Sequence, residues 1–251
     1  MMPLQSDRLA AWWRTFAIQG SWNYRSLVGP GIAYSMLPLL RRIYAGDPVQ
    51  LRGAIERHMQ SFNGHPYLCA MAVSALARLE QDGTDPETVE RFRTALRGPL
   101  GTVGDRAVWA QWRPACLLVG ILAFTLGSSP LTSALIFLVT YNVGHVVVRS
   151  WAFVKGWEAG LGVGRLLKGS WVERFAGHLW PVNLVLLGFV SVLLGAMIIG
   201  SSGSGLPDAA LLGAGALLAV AAFRFPRQGG RFAGLALLAA TVIWLVGDLL
   251  A

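Results

Sequence analysis

The sequence predicts an all-α integral membrane protein, in which N-terminal amphipathic or re-entrant helices precede about four to five transmembrane helices. Of its 251 residues, 54% are hydrophobic and only 14% are charged, whereas soluble domains carry about a quarter charged residues. Charged residues concentrate before residue 113, and long apolar runs follow it. These observations predict a region of amphipathic and re-entrant helices at 1–113 and a transmembrane region at 114–251.

The net charge of +8 comes from 21 basic and 13 acidic residues. Nucleic-acid-binding proteins are also basic, but they lack long runs of Leu, Ala, Val and Gly, so no nucleic-acid partner is expected. The basic residues instead predict membrane orientation, because cytoplasmic segments collect Lys and Arg. Cys69 and Cys116 show no metal-ligand spacing, and we expect both to be free, buried thiols.

Helices of the first region follow from periodicity and capping residues. Apolar residues at 9–17 recur at helical spacing and include two tryptophans, which is typical of a helix at a membrane interface or of one packed on its own protein. Asp47-Pro48 and Asp85-Pro86 each place a capping carboxylate before a proline at the first helical position. Further helices are predicted at 66–80 and 87–97.

The second region contains five apolar stretches, at 115–127, 131–148, 182–199, 209–223 and 232–250. The first two are at or below the roughly 20 residues that cross hydrocarbon, so they are either short spans or a re-entrant pair. The basic segment 149–174 is predicted to lie in the cytoplasm and the loop at 201–208 outside. The N-terminus lacks a signal-peptide pattern and is expected in the cytoplasm, which puts the C-terminus outside.

Two polar islands, at 19–23 and 98–105, stand beside the apolar segments. Polar or glycine-rich backbone near a membrane is tolerated where it is buried in protein or lines a solute path. Gln19 and Asn23 offer amides that suit sugar hydroxyls, and Trp22 offers an apolar face for a pyranose ring; the same residues also suit an interface anchor. Residues 98–105 have the glycine density of an anion-binding loop, but they lack the Gly-Lys-Ser/Thr ending of a P-loop.

Three further polar positions lie in the motifs, and two of them have two interpretations each. Asn63 fits a turn between two helices, and the neighbouring His65 is either structural or a titrating or ligand-binding group. Asp105 precedes a membrane run and is either a proton or ligand site, or else a helix cap or the ion-pair partner of Arg106 or Arg113.

Asn142 and His145 lie within an apolar run, where they must be hydrogen-bonded, so they either bridge helices or face a solute path. No Ser-His-Asp, Cys-His or paired-carboxylate arrangement has convincing spacing. We therefore predict no catalytic residue, no metal site and no cofactor, and no self-contained enzyme.

At these islands the sequence resembles the IID subunit of the mannose/fructose/sorbose family of bacterial sugar phosphotransferase systems. The resemblance includes QGSWNYRSLVGPGIAYSMLPLLRRIY from residue 19, RHMQSFNGHPYL at 57–68, ALRGPLGTVGDRAVWAQWRP at 95–114 and the stretch 141–157. Several separated motifs in matching order and spacing, over roughly residues 14–170, are more specific than any one of them.

The resemblance implies a non-catalytic, multi-pass subunit of the bacterial inner (plasma) membrane, embedded in membrane lipid. It implies pairing with a IIC membrane subunit in an oligomeric complex that carries a hexose. The soluble IIA and IIB proteins of such systems relay a phosphoryl group through their own histidines, so none of the four histidines here is expected to be phosphorylated. The predicted polar lining of the sugar path is Gln19, Trp22, Asn23, Asn63 and Asp105.

Two departures from the family pattern support an alternative function. Arg106 follows the glycine-aspartate motif, where the family usually has a small or apolar residue, and the outer loop at 201–208 is short. The alternative is a degenerate IID-like membrane protein with a regulatory or assembly role and no transport. An unrelated channel or membrane enzyme would conflict with the matched series of motifs.

Overall fold

The computed structural model describes residues 5–200, apart from the side chains of residues 196 and 198–200. Within that range the secondary structure is helical, with isolated β-bridges that join Asn23 to Leu27 and Leu27 to Phe62. The all-α prediction is confirmed. The predicted outer loop, the spans at 209–223 and 232–250 and the C-terminus lie outside the described residues.

The elements follow one another as α1 (Gln5–Arg14), a first 3₁₀ helix (Thr15–Ser21), α2 (Gly29–Ile43), α3 (Pro48–Met59), α4 (Cys69–Gln81), α5 (Pro86–Gly104), a π-helical segment (Asp105–Trp112), α6 (Arg113–Thr125), α7 (Pro130–Ala159), a second 3₁₀ helix (Gly160–Gly162), α8 (Val163–Leu167) and α9 (Trp171–Gly200). Their contacts define two compact units. Of the described residues, unit 1 contains 5–109 and 143–174, and unit 2 contains 110–142 and 175–200. The division at residue 113 that composition suggests stays a prediction.

The capping predictions are confirmed at both aspartate-proline pairs. Asp47 Oδ1 accepts a hydrogen bond from the backbone N–H of Gln50 at 2.9 Å, and Asp85 Oδ1 accepts one from Thr88 at 2.9 Å. Each such cap stabilises its helix by about 1 kcal/mol. The helix predicted from residue 66 begins only at Cys69, because residues 66–68 form a turn.

Three described stretches are long and apolar enough to cross a membrane: Pro86–Thr125, Pro130–Leu167 and Trp171–Gly195. The apolar stretches 115–127 and 131–148 are parts of helices of 40 and 38 residues, which favours two spans over a re-entrant pair. The segment 149–174, predicted as a cytoplasmic loop, is helical as far as Ala159. Hydropathy does not indicate this continuity, because a helix can continue through polar residues beyond its apolar stretch.

The core of unit 1 forms around α4, which is buried along nearly its whole length. Gly156 of α7 allows a close approach to this helix, since a Cβ at Gly156 would lie 2.4 Å from the backbone oxygen of Met71. Cys69, at the start of α4, is a free thiol whose pKa burial raises to about 12. Cys116 is likewise free and buried, as expected.

A buried carboxylate joins three helices of unit 1. Glu80 of α4 accepts hydrogen bonds from Arg57 Nη2 at 2.8 Å and His58 Nε2 at 2.7 Å on α3, and from the Tyr44 hydroxyl after α2. Burial alone would raise the pKa of Glu80, but the hydrogen bonds from these partners outweigh it and lower the pKa to about 2. Burial lowers the pKa of His58, so the ring is neutral and donates its Nε2–H.

Glu80→Gln should lower the free energy of unfolding by about 3 kcal/mol at neutral pH, because it leaves Arg57 without its buried carboxylate. The folded-state pKa of Glu80 lies below its ordinary value of 4.5. Its stabilisation is therefore present above pH 4.5 and is lost as the pH falls towards 2. Thermal unfolding in detergent across this range should show the deficit of the variant shrinking in acid.

The matched control is Asp82→Asn, which removes an exposed ion pair with Arg78 on the same helix turn. Its effect should stay within about 0.5 kcal/mol at any pH. A deficit for Glu80→Gln that is equal at neutral pH and near pH 2 would contradict the assignment.

Candidate functional site

The island at 19–23 ends the first 3₁₀ helix and enters a tight turn built on Asn23. Asn23 Oδ1 accepts hydrogen bonds from the backbone N–H groups of Arg25 at 3.0 Å and Ser26 at 2.9 Å. Its Nδ2 donates to Ser26 Oγ at 2.8 Å. Such local bonding is how asparagine stabilises turns. Asn23 therefore shapes the segment on which the exposed side chains of Gln19 and Trp22 lie.

The end of this turn docks on the loop at 62–65. Leu27 adopts the left-handed region, with φ +54°, and its N–H donates to the backbone oxygen of Asn23 at 2.8 Å. The N–H of Phe62 donates to the oxygen of Ser26 at 3.2 Å, and the N–H of Val28 donates to the oxygen of Phe62 at 3.1 Å. A leucine rarely adopts this conformation, so the surrounding bonds must hold it. The first two sequence motifs thus meet through their backbones.

The island at 98–105 is helical, because α5 continues to Gly104 and the π-helical segment begins at Asp105. The segment is therefore not an anion-binding loop, although its glycine content resembles one. Most of its backbone N–H groups bond within the helix and are not available to an anion. Gly104 instead makes room for His65: a Cβ at Gly104 would lie 2.2 Å from the Cβ of His65. The third motif packs on the same loop that receives the first.

Asp105 is exposed at the first position of the π-helical segment. The structure gives Arg106 another partner, because its Nη2 lies 3.2 Å from Glu173 Oε1. The structure therefore contains an ion pair between Arg106 and Glu173 in place of the expected pair between Arg106 and Asp105. π-Helical turns inside α-helices are frequent at functional sites, which is consistent with a special role for this position.

A buried arginine on α7 joins the remaining motifs. Arg149 donates from Nη1 to the backbone oxygen of Thr15 and from Nε to His145 Nε2 at 3.0 Å. Its guanidinium lies 4.6 Å from the ring centroid of Phe16 and 5.2 Å from that of Tyr67. The rings of Tyr67 and His145 stack at 3.9 Å. The guanidinium therefore joins the start of the first 3₁₀ helix, the loop before α4 and α7.

His65 is fully buried beside this cluster. Its Nδ1 accepts the backbone N–H of Tyr67 at 3.3 Å, which puts the ring proton on Nε2. Burial, assisted by the charge of Arg149 and by His145, lowers the pKa of His65 to about 3. The ring is neutral across the physiological range, so the structural interpretation of His65 is favoured over the titrating one.

Of the five predicted lining residues, the structure brings together the segments that carry Asn23, Asn63 and Asp105, because all of them adjoin the loop at 62–65. Gln19 and Trp22 lie exposed at the end of the 3₁₀ helix. Their contacts with a solute stay predictions. Sequence reasoning missed Arg149, which it counted among the charges of a cytoplasmic loop. The four-residue spacing between His145 and Arg149 on one helix face was the available signal.

These features define a class: a helical membrane protein in which separated polar motifs converge on one loop and one buried arginine. The chain belongs to the mannose/fructose/sorbose family of IID components of the phosphotransferase system, whose pattern matches residues 4–199. The resemblance seen in the motifs is confirmed.

Curated relatives come from several bacteria. The chain is 26% identical over 189 residues to the mannose-specific EIID component of Escherichia coli (strain K12), covering 73% of this chain and 66% of that protein. It is 24% identical over 180 residues to the fructose permease IID component of Bacillus subtilis (strain 168), covering 70% and 64%. The match thus spans just under two thirds of the length of these relatives.

Two solved structures are similar in fold. One, described as a membrane protein, superposes with a TM-score of 0.67 at 26% identity and covers 76% of this chain and 71% of its own. The other comes from the mannose transporter ManYZ in complex with microcin E492, with a TM-score of 0.59 at 22% identity, covering 99% and 97%. At that identity, the second shows the fold alone.

Gly104→Ala should destabilise the protein by about 2 kcal/mol, because the added methyl group overlaps His65. Gly98→Ala, on the same helix, is the control: a Cβ there meets nothing within 4 Å, so the change should be neutral or stabilise by up to about 1 kcal/mol. Thermal unfolding of both variants in detergent measures the difference. Equal midpoints would show that the loop does not pack on Gly104.

Arg149→Lys should lower the free energy of unfolding by about 3 kcal/mol, since an ammonium cannot bond Thr15 and His145 while stacking between two rings. Arg165→Lys, at an exposed position of α8, is the matched control and should have little effect. The readout is the fraction of each variant that remains monodisperse after heating in detergent. Equal survival of the two variants would contradict the role assigned to Arg149.

Proposed function

We propose that this chain is the IID subunit of a sugar-translocating IIC–IID complex in the bacterial inner membrane. In this proposal the complex moves a hexose across the membrane, coupled to phosphorylation by IIA and IIB. The observation that carries it is the convergence of the family motifs on the loop at 62–65 of a membrane protein. Convergence of separated polar motifs is what a shared solute site requires, whereas interface anchors would not need to meet.

Gln19, Trp22, Asn23, Asn63 and Asp105 are proposed as the polar lining of the sugar path. Trp22 is half-exposed and packs edge-on against Tyr24, with ring centroids 4.8 Å apart, and the exposed Gln19 precedes it by three residues. An aromatic face next to an amide suits a pyranose ring. Asn23 acts by shaping the turn, and Asp105 supplies an exposed carboxylate for a gate or an ion pair.

A non-catalytic role fits the state of three of the four histidines, while the fourth, His178, is exposed on α9. His58 and His65 are fully buried, and His145 is stacked on Tyr67 and bonded to Arg149. Such rings cannot approach a phosphoryl donor without local unfolding. In this proposal the phosphoryl chemistry takes place on IIA and IIB. The proposed orientation, with the N-terminus in the cytoplasm and the C-terminus outside, rests on the distribution of basic residues.

The test is phosphoenolpyruvate-dependent uptake of labelled hexoses into cells that carry this chain with its IIA, IIB and IIC partners. Deletion of this chain alone should abolish uptake of at least one hexose. Absence of uptake of every hexose from a stable membrane complex would overturn the transport proposal and support the regulatory alternative.

Variants of single residues then distinguish a side chain that shapes the turn from one that contacts the sugar. Asn23→Asp keeps the acceptor for Arg25 and Ser26 and should retain at least half of the uptake, whereas Asn23→Ala opens the turn and should reduce uptake about tenfold or more. Asp105→Asn should reduce uptake at unchanged protein level, and Asp82→Asn, an exposed carboxylate outside the motifs, should not. Wild-type uptake in both Asn23→Ala and Asp105→Asn would remove these residues from the site.

A further inference from the structure

A cleft of about 240 Å³ lies within unit 2, between α9 and the chain that passes from the π-helical segment into α6. Its polar lining residues are Gln111, Trp180 and Asn183. They come earlier along the two helices than its leucines, which are Leu117, Leu118, Leu184 and Leu187. Leu117 is 48% exposed, so the cleft is open on this side. We name it the α6–α9 cleft.

Asn183 brings an open hydrogen-bond acceptor to the α6–α9 cleft. Its side chain is only 9% exposed, and its Nδ2 donates to the backbone oxygen and to Oε1 of Gln111. Its Oδ1 is buried and accepts no hydrogen bond from the described residues. A buried amide oxygen without a donor is costly, so this position favours a group that carries an O–H or an N–H.

The polar part of the cleft lies where both helices change from polar to apolar sequence. On α9, charged residues and His178 precede Trp180, and residues 184–190 are apolar. Residues 114–124 of α6 are likewise apolar and follow Trp112. Tryptophans concentrate at membrane–water interfaces, and Asn183 lies only about 4.5 Å beyond Trp180 along the helix. We therefore expect Asn183 near the boundary between lipid headgroups and hydrocarbon, and the leucines deeper.

This gradient fits an amphiphile better than a sugar. A hexose in the cleft would leave most of its hydroxyls against leucine side chains, which is costly. A phospholipid instead places methylene groups against the leucines and polar atoms at the interface. Its headgroup reaches the level of Asn183 and supplies the missing donor if it carries a hydroxyl or an ammonium.

The charge beside the cleft selects between these two headgroups. Arg113 is exposed at the start of α6, and it shares a helix face with Leu117, four residues later. A cation at this level attracts an anionic lipid and repels the ammonium of phosphatidylethanolamine. Phosphatidylglycerol is anionic and has hydroxyl donors in its headgroup, so it satisfies both conditions.

We propose that the α6–α9 cleft binds one molecule of phosphatidylglycerol. A headgroup hydroxyl donates to Asn183 Oδ1, the phosphate lies near Arg113, and part of one acyl chain follows the leucines. This order agrees with depth, because Arg113 lies about 3 Å further along the chain axis than Gln111, and Leu117 lies about 6 Å beyond Arg113. The proposal concerns lipid binding and does not depend on transport.

The experiment is native mass spectrometry of the full chain, released from nanodiscs that contain equal amounts of phosphatidylglycerol and phosphatidylethanolamine. The wild type should retain one phosphatidylglycerol, about fivefold more often than phosphatidylethanolamine. Asn183→Leu removes the acceptor and should reduce the retained phosphatidylglycerol about tenfold. The matched control is Asn142→Leu, at an exposed asparagine of α7, which should not change retention.

A second variant keeps the test decisive if Asn183→Leu does not fold. Arg113→Gln changes an exposed side chain and should lower the preference for phosphatidylglycerol over phosphatidylethanolamine about fivefold. Arg165→Gln, at an exposed position of α8, is its control and should leave the preference unchanged.

Three outcomes would overturn the proposal. The first is equal retention of the two lipids by the wild type, and the second is equal retention of phosphatidylglycerol by Asn183→Leu and Asn142→Leu. Both are expected if water satisfies Asn183 and the retained lipids only surround the protein. The third is loss of the retained lipid when the chain is purified in complex with a IIC subunit, because a protein segment would then occupy the cleft.

Discussion

The buried guanidinium of Arg149 is the interaction on which the arrangement of the motifs depends. It bonds a carbonyl at the start of the first 3₁₀ helix, bonds a histidine on its own helix and packs against two aromatic rings. A cation so buried is stable only when each of these groups is in place, since an unmade bond in a dry site is costly. One side chain therefore sets the positions of three chain segments that are far apart in sequence.

Around this cation, unit 1 is held by polar bonds that link distant segments. Glu80 of α4 accepts hydrogen bonds from Tyr44, Arg57 and His58 and so links α4 to α3 and to the end of α2. Backbone hydrogen bonds join the turn at Asn23 to Phe62. Each of these bonds joins residues that are far apart in sequence, so the fold tolerates little change in register. This rigidity is what a site assembled from separated motifs needs.

Unit 2 is organised differently, because its helices are mainly apolar. Among its described residues, one internal polar contact is between amides: Asn183 Nδ2 donates to the backbone oxygen and to Oε1 of Gln111, each at 2.9 Å. Gln111 lies in the π-helical segment, where the shifted hydrogen-bond pattern leaves a carbonyl open to a side chain.

Much of the fold could be predicted from the sequence because its signals are local. The aspartate-proline pairs start two helices, the apolar stretches mark membrane helices, and the order of the motifs indicates the IID family. Helix continuity through 98–112 and 149–159 was missed, since glycines and charges within a helix resemble a break when read alone. The role of Gln19, Trp22, Asn23, Asn63 and Asp105 as a polar lining stays a prediction, and the sequence does not show that the segments carrying Asn23, Asn63 and Asp105 meet at one loop.

What the sequence by itself determined is therefore the class of protein, the helix starts and the set of motifs. Only the tertiary structure decided that Gly104 faces His65, that Arg106 pairs with Glu173, and that Arg149 bonds Thr15 across 134 positions. The physical reason is that a local sequence pattern indicates only the backbone conformation of the residues within it. The three contacts above depend instead on which distant group fills the space beside each side chain.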